Sequence, residues 1–128
     1  MKQQKKYSGV VVPMVTPLTP RFELDAEATL QLMASIDACN CSVFLMGTTG
    51  EAPSLTASLR KQFFSLAAGF KRRGALFAGI SSLCVEDSID LSCHAAEAGV
   101  DVVVVTIPSY FSLSEFLKFN NICSTRTN

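Results

Sequence analysis

The chain has 128 residues, of which 48% are hydrophobic, and its 11 basic residues balance 11 acidic ones. A net charge of zero argues against an extended surface for nucleic acid or for an anionic membrane. No apolar stretch reaches the roughly 18 residues that a membrane-spanning helix needs, and we find no secretory signal, so we predict a cytoplasmic protein.

One domain with a real core fits this length. The mean hydropathy of +0.31 is high for so small a protein and indicates either an obligate partner or a piece of something larger. We expect a basic N-terminal tail over residues 1–8, one domain over residues 9–119, and an irregular C-terminal tail over residues 120–128.

Apolar segments of strand length alternate along the chain with amphipathic segments of helical length. The predicted strands cover residues 9–15, 42–46, 75–80 and 101–107, and the predicted helices end near residues 38, 73, 98 and 120. Nearly continuous apolar strands between amphipathic helices are typical of a parallel sheet. Two architectures fit this order: an open doubly wound sheet, or about the first four βα units of a (β/α)₈ barrel. A dinucleotide-binding fold is disfavoured, because Thr16-Pro17-Leu18 replaces the glycine-rich turn after strand one.

Local signals define the helix ends. Asp25 and Thr56 are predicted N-caps, and the cations of residues 71–73 are expected in the last turn of the second helix. Residues that tolerate a left-handed backbone are expected to end the three helices: Asn40, Gly74 and Gly99. The apolar pattern predicts these inward-facing residues of the first helix: Leu30, Met33, Ala34 and Ile36.

The five cysteines do not form a recognisable metal site. Cys39 and Cys41 lack a usual zinc spacing, and no second Cys/His pair completes a site. We therefore predict reduced, mostly buried thiols and no metal.

A turn with ligand-binding chemistry follows the second strand. Gly47-Thr48-Thr49-Gly50-Glu51 places two hydroxyls and a carboxylate around two glycines, which let a ligand approach the backbone closely. In either architecture, ligands bind at the carboxyl ends of strands. Such a turn suits a small carboxylate or carbonyl, although many Gly/Thr turns only reverse the chain.

Three motifs carry a family resemblance. The first, Gly9-x-x-x-Pro-Met-Val-Thr-Pro17, lies on strand one. The others, Gly47-Thr-Thr-Gly-Glu51 and Pro108-x-Tyr110, follow strands two and four. On these motifs the chain resembles the N-terminal half of the dihydrodipicolinate synthase/N-acetylneuraminate lyase family of class I, Schiff-base aldolases. Gly-Thr-Thr-Gly-Glu is more similar to the synthase branch, which favours lysine biosynthesis over sialic acid or sugar-acid cleavage.

The resemblance implies a (β/α)₈ enzyme that needs no cofactor and joins pyruvate, or a related 2-oxo acid, to a lysine as an imine. It implies that Thr48 and Thr49 bind the substrate carboxylate within the Gly47–Gly50 turn, and that Thr16 lines the pocket floor. Thr48 and Tyr110 are the implied catalytic residues, with Thr48 relaying protons and Tyr110 reaching across a dimer interface.

Two departures limit these expectations. The family's imine-forming lysine lies on strand six, beyond the last predicted strand, so we expect the chain to be inactive alone. After strand three the synthases usually carry Gly-x-Gly-x-Asn, whereas this chain carries Gly79-Ile-Ser-Ser-Leu83. Tyr110-Phe111 also departs from the common Tyr-Asn pair.

Three hypotheses follow. The chain is the N-terminal half of a pyruvate-dependent synthase or aldolase, or a catalytically dead partner of full-length homologues, or an unrelated α/β module that binds another anion. Four strands taken from a barrel leave two unpaired edges. We therefore expect homo-oligomers formed through these edges and the Tyr110 turn.

Overall fold

The computed structural model describes residues 6–107, 112 and 114. Four strands alternate with three helices in the order that the sequence predicts. The strands are β1 (Val11–Pro13), β2 (Ser42–Leu45), β3 (Leu76–Gly79) and β4 (Val102–Val104), and the helices are α1 (Ala26–Ala38), α2 (Ala57–Gly69) and α3 (Val85–Ala98). Tyr110 and the fourth predicted helix beyond Ser114 lie outside the described residues.

The four strands form one parallel sheet in the order β1-β2-β3-β4. A doubly wound sheet needs a point at which the strand order reverses, whereas a barrel adds each strand beside the last. The sequential order therefore decides between the two predicted architectures. The fold is the N-terminal part of a (β/α)₈ barrel.

The helices cover one face of this sheet. On that face the core contains Leu45, Leu76 and Ala78, each fully buried, against Phe63 and Phe64 of α2. The opposite face corresponds to the barrel interior and carries Phe44 and Phe77, which are neighbours across β2 and β3 and are only partly buried. At the carboxyl ends of the strands, this open face reaches the region in which a barrel binds its ligands.

Most predicted helix ends are confirmed. The Asp25 side chain accepts from the Ala28 N–H and the Thr56 hydroxyl from the Leu59 N–H. Asn40 and Gly99 both have left-handed backbones, with φ of 55° and 95°. These ends are predictable because each depends on a few neighbouring residues.

The predicted end of α2 is wrong. The helix stops at Gly69, so the cations at positions 71–73 lie beyond it. Phe70 has an extended backbone and packs against the core, and the two arginines pair with Asp101 and Asp37. Gly74 is needed for close packing instead, since a β-carbon there would lie 2.5 Å from the Cys41 carbonyl oxygen.

Two predictions about burial also need correction. In α1, Leu30 and Ala34 are exposed, and Thr29 takes a core position because its hydroxyl donates to the Asp25 carbonyl at 2.6 Å. The four described cysteines are free, as predicted, but none is fully buried. In α1 the rotation of the helix, and not the hydrophobicity of the side chain, decides which residues the core receives.

Candidate functional site

The Gly-Thr-Thr-Gly turn lies where the sequence predicts, at the carboxyl end of β2. Gly47 packs against the ring of Phe44 on the open face of the sheet, and a β-carbon there would lie 2.8 Å from that ring. Gly50 is buried over the strand ends, and its β-carbon would lie 3.2 Å from the Met14 carbonyl oxygen and 3.1 Å from the Met46 nitrogen. Both glycines therefore bring the turn down onto β1 and β2.

The backbone is left-handed on both sides of this turn. Met46 has φ of 57° and Glu51 has φ of 54°, conformations that cost a residue with a β-carbon roughly 1–2 kcal/mol. The Glu51 N–H donates to the Thr48 carbonyl at 3.0 Å and closes the turn. Strained backbone of this kind persists only where the surrounding structure holds it.

Thr48 and Thr49 lie at the exposed tip of the turn. In the part of the chain that the structure describes, neither their hydroxyls nor their backbone N–H groups make a hydrogen bond. Each residue thus offers a hydroxyl and an N–H to a ligand. Closely spaced donors of this kind suit an anion such as a carboxylate.

Thr16 approaches the turn from β1, but its hydroxyl is engaged. It donates to the Gly50 carbonyl at 2.7 Å and is partly buried. The structure therefore places Thr16 beside the turn, with its hydroxyl proton directed at the Gly50 carbonyl.

Arg60 is the residue near this site that sequence reasoning missed. Its side chain is buried, and its two terminal nitrogens donate to the Gly79 carbonyl at 2.8 Å and the Ser81 carbonyl at 3.0 Å. Its Nε is buried and has no hydrogen-bond partner among the described residues. Burial lowers the pKa of Arg60, and the negative charge of Asp87 partly opposes that shift.

The connection after β3 is joined to the end of β4 by a second set of hydrogen bonds. The Ser81 hydroxyl accepts from the Thr106 N–H at 2.9 Å and lies 3.0 Å from the Thr106 hydroxyl. Together with Arg60, these contacts tie α2, the end of β3 and the end of β4 to one another. Hydrogen bonds thus connect the carboxyl ends of β3 and β4, although the sequence after β3 departs from the family pattern.

A cleft of about 430 Å³ opens beside Arg60, behind the Gly-Thr-Thr-Gly turn. The residues that line it include Pro53, Leu55, Ser82, Asp87 and Thr106. The wall is mainly apolar, and the Arg60 guanidinium lies at one side.

The described lysines lie away from the turn. Lys61 pairs with Asp90 on the outer helices at 2.5 Å, and Lys71 is exposed beyond α2. Lys6 lies over the ring of Tyr7, which itself packs on Phe77 and donates to the Asp101 carbonyl at the start of β4.

Among the described residues, no group of three His, Cys, Asp or Glu side chains could hold a metal ion. No helix in the same part of the chain is long and apolar enough to cross a bilayer.

Comparison with known sequences identifies the family of the chain. Residues 6–120 match the model of the dihydrodipicolinate synthetase family. An N-acetylneuraminate lyase of Danio rerio is 37% identical over 114 residues, which are 84% of this chain and 36% of that protein. A 4-hydroxy-tetrahydrodipicolinate synthase of Heliobacterium modesticaldum is 32% identical over 107 residues, which are 82% of this chain and 36% of that protein.

Solved structures agree with these sequence matches. YagE of Escherichia coli K12, a prophage protein of the dihydrodipicolinic acid synthase family solved in complex with pyruvate, superimposes with a TM-score of 0.89 at 26% identity. That match covers 95% of this chain and 42% of YagE. Dihydrodipicolinate synthase of Bacteroides thetaiotaomicron gives a TM-score of 0.84 at 30% identity, covering 97% of this chain and 43% of that protein. The chain spans well under half the length of these relatives.

Proposed function

The chain belongs to the dihydrodipicolinate synthetase family, and we propose that its Gly47–Gly50 turn binds the carboxylate of pyruvate or of a related 2-oxo acid. The observation that carries this proposal is the pair of exposed threonines, Thr48 and Thr49, with hydroxyl and N–H donors that no other described residue uses. Hydrogen bonds to an ionised acceptor are shorter and stronger than those between neutral groups. The pyruvate-bound relative YagE supports this choice of ligand.

We assign two catalytic roles within the same proposal. Thr48 binds the carboxylate and relays protons through its hydroxyl, and Tyr110 supplies a further hydroxyl to that relay from a neighbouring subunit. A threonine hydroxyl can donate one hydrogen bond and accept others, which a relay requires. Tyr110 lies outside the described residues, so its role depends on the family resemblance.

For a full-length protein that contains this half, we propose condensation of pyruvate with an aldehyde through a lysine imine, as in 4-hydroxy-tetrahydrodipicolinate synthase. A lysine becomes nucleophilic when its surroundings remove its proton. Lys61 is held by Asp90 on the outer helices, and Lys71 is exposed, so neither is suited to this role. We therefore propose that these 128 residues bind the 2-oxo acid but do not form the imine.

A titration of the ¹⁵N-labelled chain with pyruvate tests the clamp. We expect saturable shifts of the Thr48, Thr49 and Gly50 amides with a dissociation constant on the order of 1 mM, a value typical of a few hydrogen bonds to one small ion. Thr48→Val and Thr49→Val should each weaken binding about tenfold, whereas Ser58→Ala on the exposed side of α2 should not.

Methyl pyruvate, which lacks the carboxylate, is the matched ligand control. It should leave the turn amides unshifted at the concentration at which pyruvate saturates them. Equal shifts with both ligands, or none with pyruvate, would refute the clamp. Treatment with pyruvate and borohydride, followed by mass measurement, tests the imine separately: a reduced adduct on any lysine would contradict the assignment of binding without imine formation.

Cleavage of N-acetylneuraminate or of a 2-keto-3-deoxy sugar acid is the second candidate reaction. The 37% identity to the Danio rerio lyase favours it, while the Gly-Thr-Thr-Gly-Glu motif favours the synthase. Both candidates need the same carboxylate clamp. N-Acetylneuraminate that shifts the turn amides at lower concentration than pyruvate would support the lyase.

We further propose that the chain associates through the edges of its sheet. Val11 on β1 and Val103 on β4 are each 40% exposed, and neither strand has a partner on its outer side among the described residues. Unpaired strand edges are ready templates for pairing with another chain. Sedimentation should show a homo-oligomer at micromolar concentration, and Val103→Lys should dissociate it; a stable monomer would count against the proposal. Co-purification with a full-length homologue would favour the catalytically dead partner.

A further inference from the structure

The proton of the Thr16 hydroxyl already has an acceptor inside the protein. It donates to the Gly50 carbonyl at 2.7 Å, across 34 positions of sequence. A hydroxyl has one proton, so Thr16 cannot keep this bond and also donate to a bound ligand. We propose that Thr16 is a positioning residue, whose hydroxyl fixes the Gly47–Gly50 turn against the end of β1. The purpose of the fixed turn, which is to bind a carboxylate, rests on the proposed function. The positioning role of Thr16 does not.

The bond extends the attachment of β1 to β2 beyond the end of the sheet. The last backbone bond of this pair joins the Met14 N–H to the Phe44 carbonyl at 2.9 Å. Past this point the chain of β2 turns away through Met46, and no backbone bond joins Thr16 to the turn. The Thr16 side chain therefore supplies the connection that the two backbones no longer make.

Close packing alone does not fix the turn to the same degree. Gly50 packs close to the backbones of Met14 and Met46, since a β-carbon on it would lie 3.2 Å from the Met14 carbonyl oxygen and 3.1 Å from the Met46 nitrogen, but such packing is not directional. A hydrogen bond to its carbonyl restricts both the position and the rotation of the peptide after Gly50. That peptide includes the N–H of Glu51, which donates to the Thr48 carbonyl and closes the turn.

The left-handed backbones on both sides of the turn explain why such a bond is needed. Met46 and Glu51 would each relax toward the common right-handed or extended regions if the turn were released. Thr16 opposes that relaxation from outside the turn. Its consequence for a ligand is preorganisation: Thr48 and Thr49 are held in place before binding, so less ordering accompanies binding.

Thr16→Val tests the role, because valine has nearly the shape of threonine but no hydroxyl, and Thr16→Ser is the matched control that keeps the donor. The readout is hydrogen exchange of the Glu51 amide in the full 128-residue chain. We expect about fivefold faster exchange in Thr16→Val, the effect of losing one ordinary hydrogen bond, and near wild-type exchange in Thr16→Ser. The Met14 amide, in the adjacent sheet, should exchange at the wild-type rate in both variants.

Three results would overturn the role: unchanged Glu51 exchange in Thr16→Val, equal acceleration in both variants, or equal acceleration of the Met14 amide. If Thr16→Val does not fold, the wild-type hydroxyl proton decides, since it should be protected enough to appear in the NMR spectrum and its absence refutes the bond. Pyruvate titration separates the two proposals. A wild-type chain that shows the exchange pattern but no pyruvate shifts would refute the carboxylate clamp and leave Thr16 as a positioning residue.

Discussion

Gly79 at the end of β3 lies directly against Met46, the residue that precedes the Gly-Thr-Thr-Gly turn. A β-carbon on Gly79 would lie only 2.1 Å from the Met46 carbonyl oxygen and 2.8 Å from its carbonyl carbon. Met46 is buried and left-handed, so its carbonyl has little freedom to move. The absence of a side chain at Gly79 is thus a condition for the path of the chain into the turn.

Gly79→Ala should destabilise the protein by about 3 kcal/mol, because a methyl group there forces two strand ends apart in a close-packed region. Urea unfolding of wild type and variant at one pH gives the difference in unfolding free energy. Since the displaced atoms belong to Met46, the variant should also shift the NMR signals of Gly47 and Thr48.

Gly69→Ala is the matched control for this substitution. A β-carbon on Gly69, at the end of α2, meets no atom within 4 Å. Alanine there should leave stability unchanged or raise it by about 0.5–1 kcal/mol through its better helix propensity. Equal losses of free energy in both variants would contradict the Met46 contact as the cause.

Arg60 stabilises the strand ends through backbone carbonyls and not through an ion pair. Arg60→Met should cost about 2–4 kcal/mol in urea unfolding, because it leaves the buried Gly79 carbonyl and the partly buried Ser81 carbonyl without the Arg60 donors. Arg60→Lys should cost less, since an ammonium can still reach one of them. Arg21→Met, on an exposed residue, should change stability by less than about 0.5 kcal/mol, and equal losses at both sites would contradict the role of Arg60.

The sequence predicts most of this fold because its signals are local. Apolar runs of strand length, the caps at Asp25 and Thr56, and the left-handed ends at Asn40 and Gly99 each depend on a few neighbouring residues. The end of α2 could not be predicted in this way. It depends on Arg72 and Arg73 reaching carboxylates that lie 29 and 36 positions away.

The same distinction between local signals and long-range contacts applies to the candidate site. Thr48 and Thr49 follow a strand directly and belong to a specific motif, so their place is readable from the sequence. The engagement of the Thr16 hydroxyl depends on how a distant turn folds over β1, which no local pattern contains. The sequence indicates the burial of Arg60 only weakly. Arg60 precedes Phe63 and Phe64 by three and four residues, and so lies on the face of α2 that packs against the core.

Phe22 has a left-handed backbone, with φ of 61°, and its side chain is 79% exposed. The backbone conformation costs phenylalanine roughly 1–2 kcal/mol, while the exposed ring contributes little packing in return. Phe22→Gly should therefore raise the unfolding free energy by about 0.5 kcal/mol, after allowance for the greater freedom of glycine in the unfolded chain. Phe22→Ala, which keeps a β-carbon, should give no such gain in the same urea experiment; an equal gain would mean that ring exposure, and not backbone strain, is relieved.

Asp101 at the start of β4 links acid sensitivity to the sheet. Burial raises the pKa of Asp101, but the Leu76 N–H at 2.8 Å, the Arg72 guanidinium at 2.7 Å and the charge of Lys6 outweigh it and hold this pKa below its usual range. A carboxylate whose pKa is lower in the folded state stabilises the fold above its unfolded pKa, near 3.9. That contribution is lost as the pH falls through the folded pKa.

Asp101→Asn should remove this pH dependence while keeping an oxygen that can accept from Leu76. At pH 6 the variant should be less stable than wild type, by less than about 1 kcal/mol because the Asp101 side chain is 39% exposed. The difference should shrink below pH 4 and vanish once the wild-type carboxylate is protonated. Urea unfolding at several pH values between 3 and 6 measures it, with Asp90→Asn, at the more exposed Lys61 pair, as the control. A difference that stays constant down to pH 3 would show that Asp101 stabilises the sheet through its shape and not its charge.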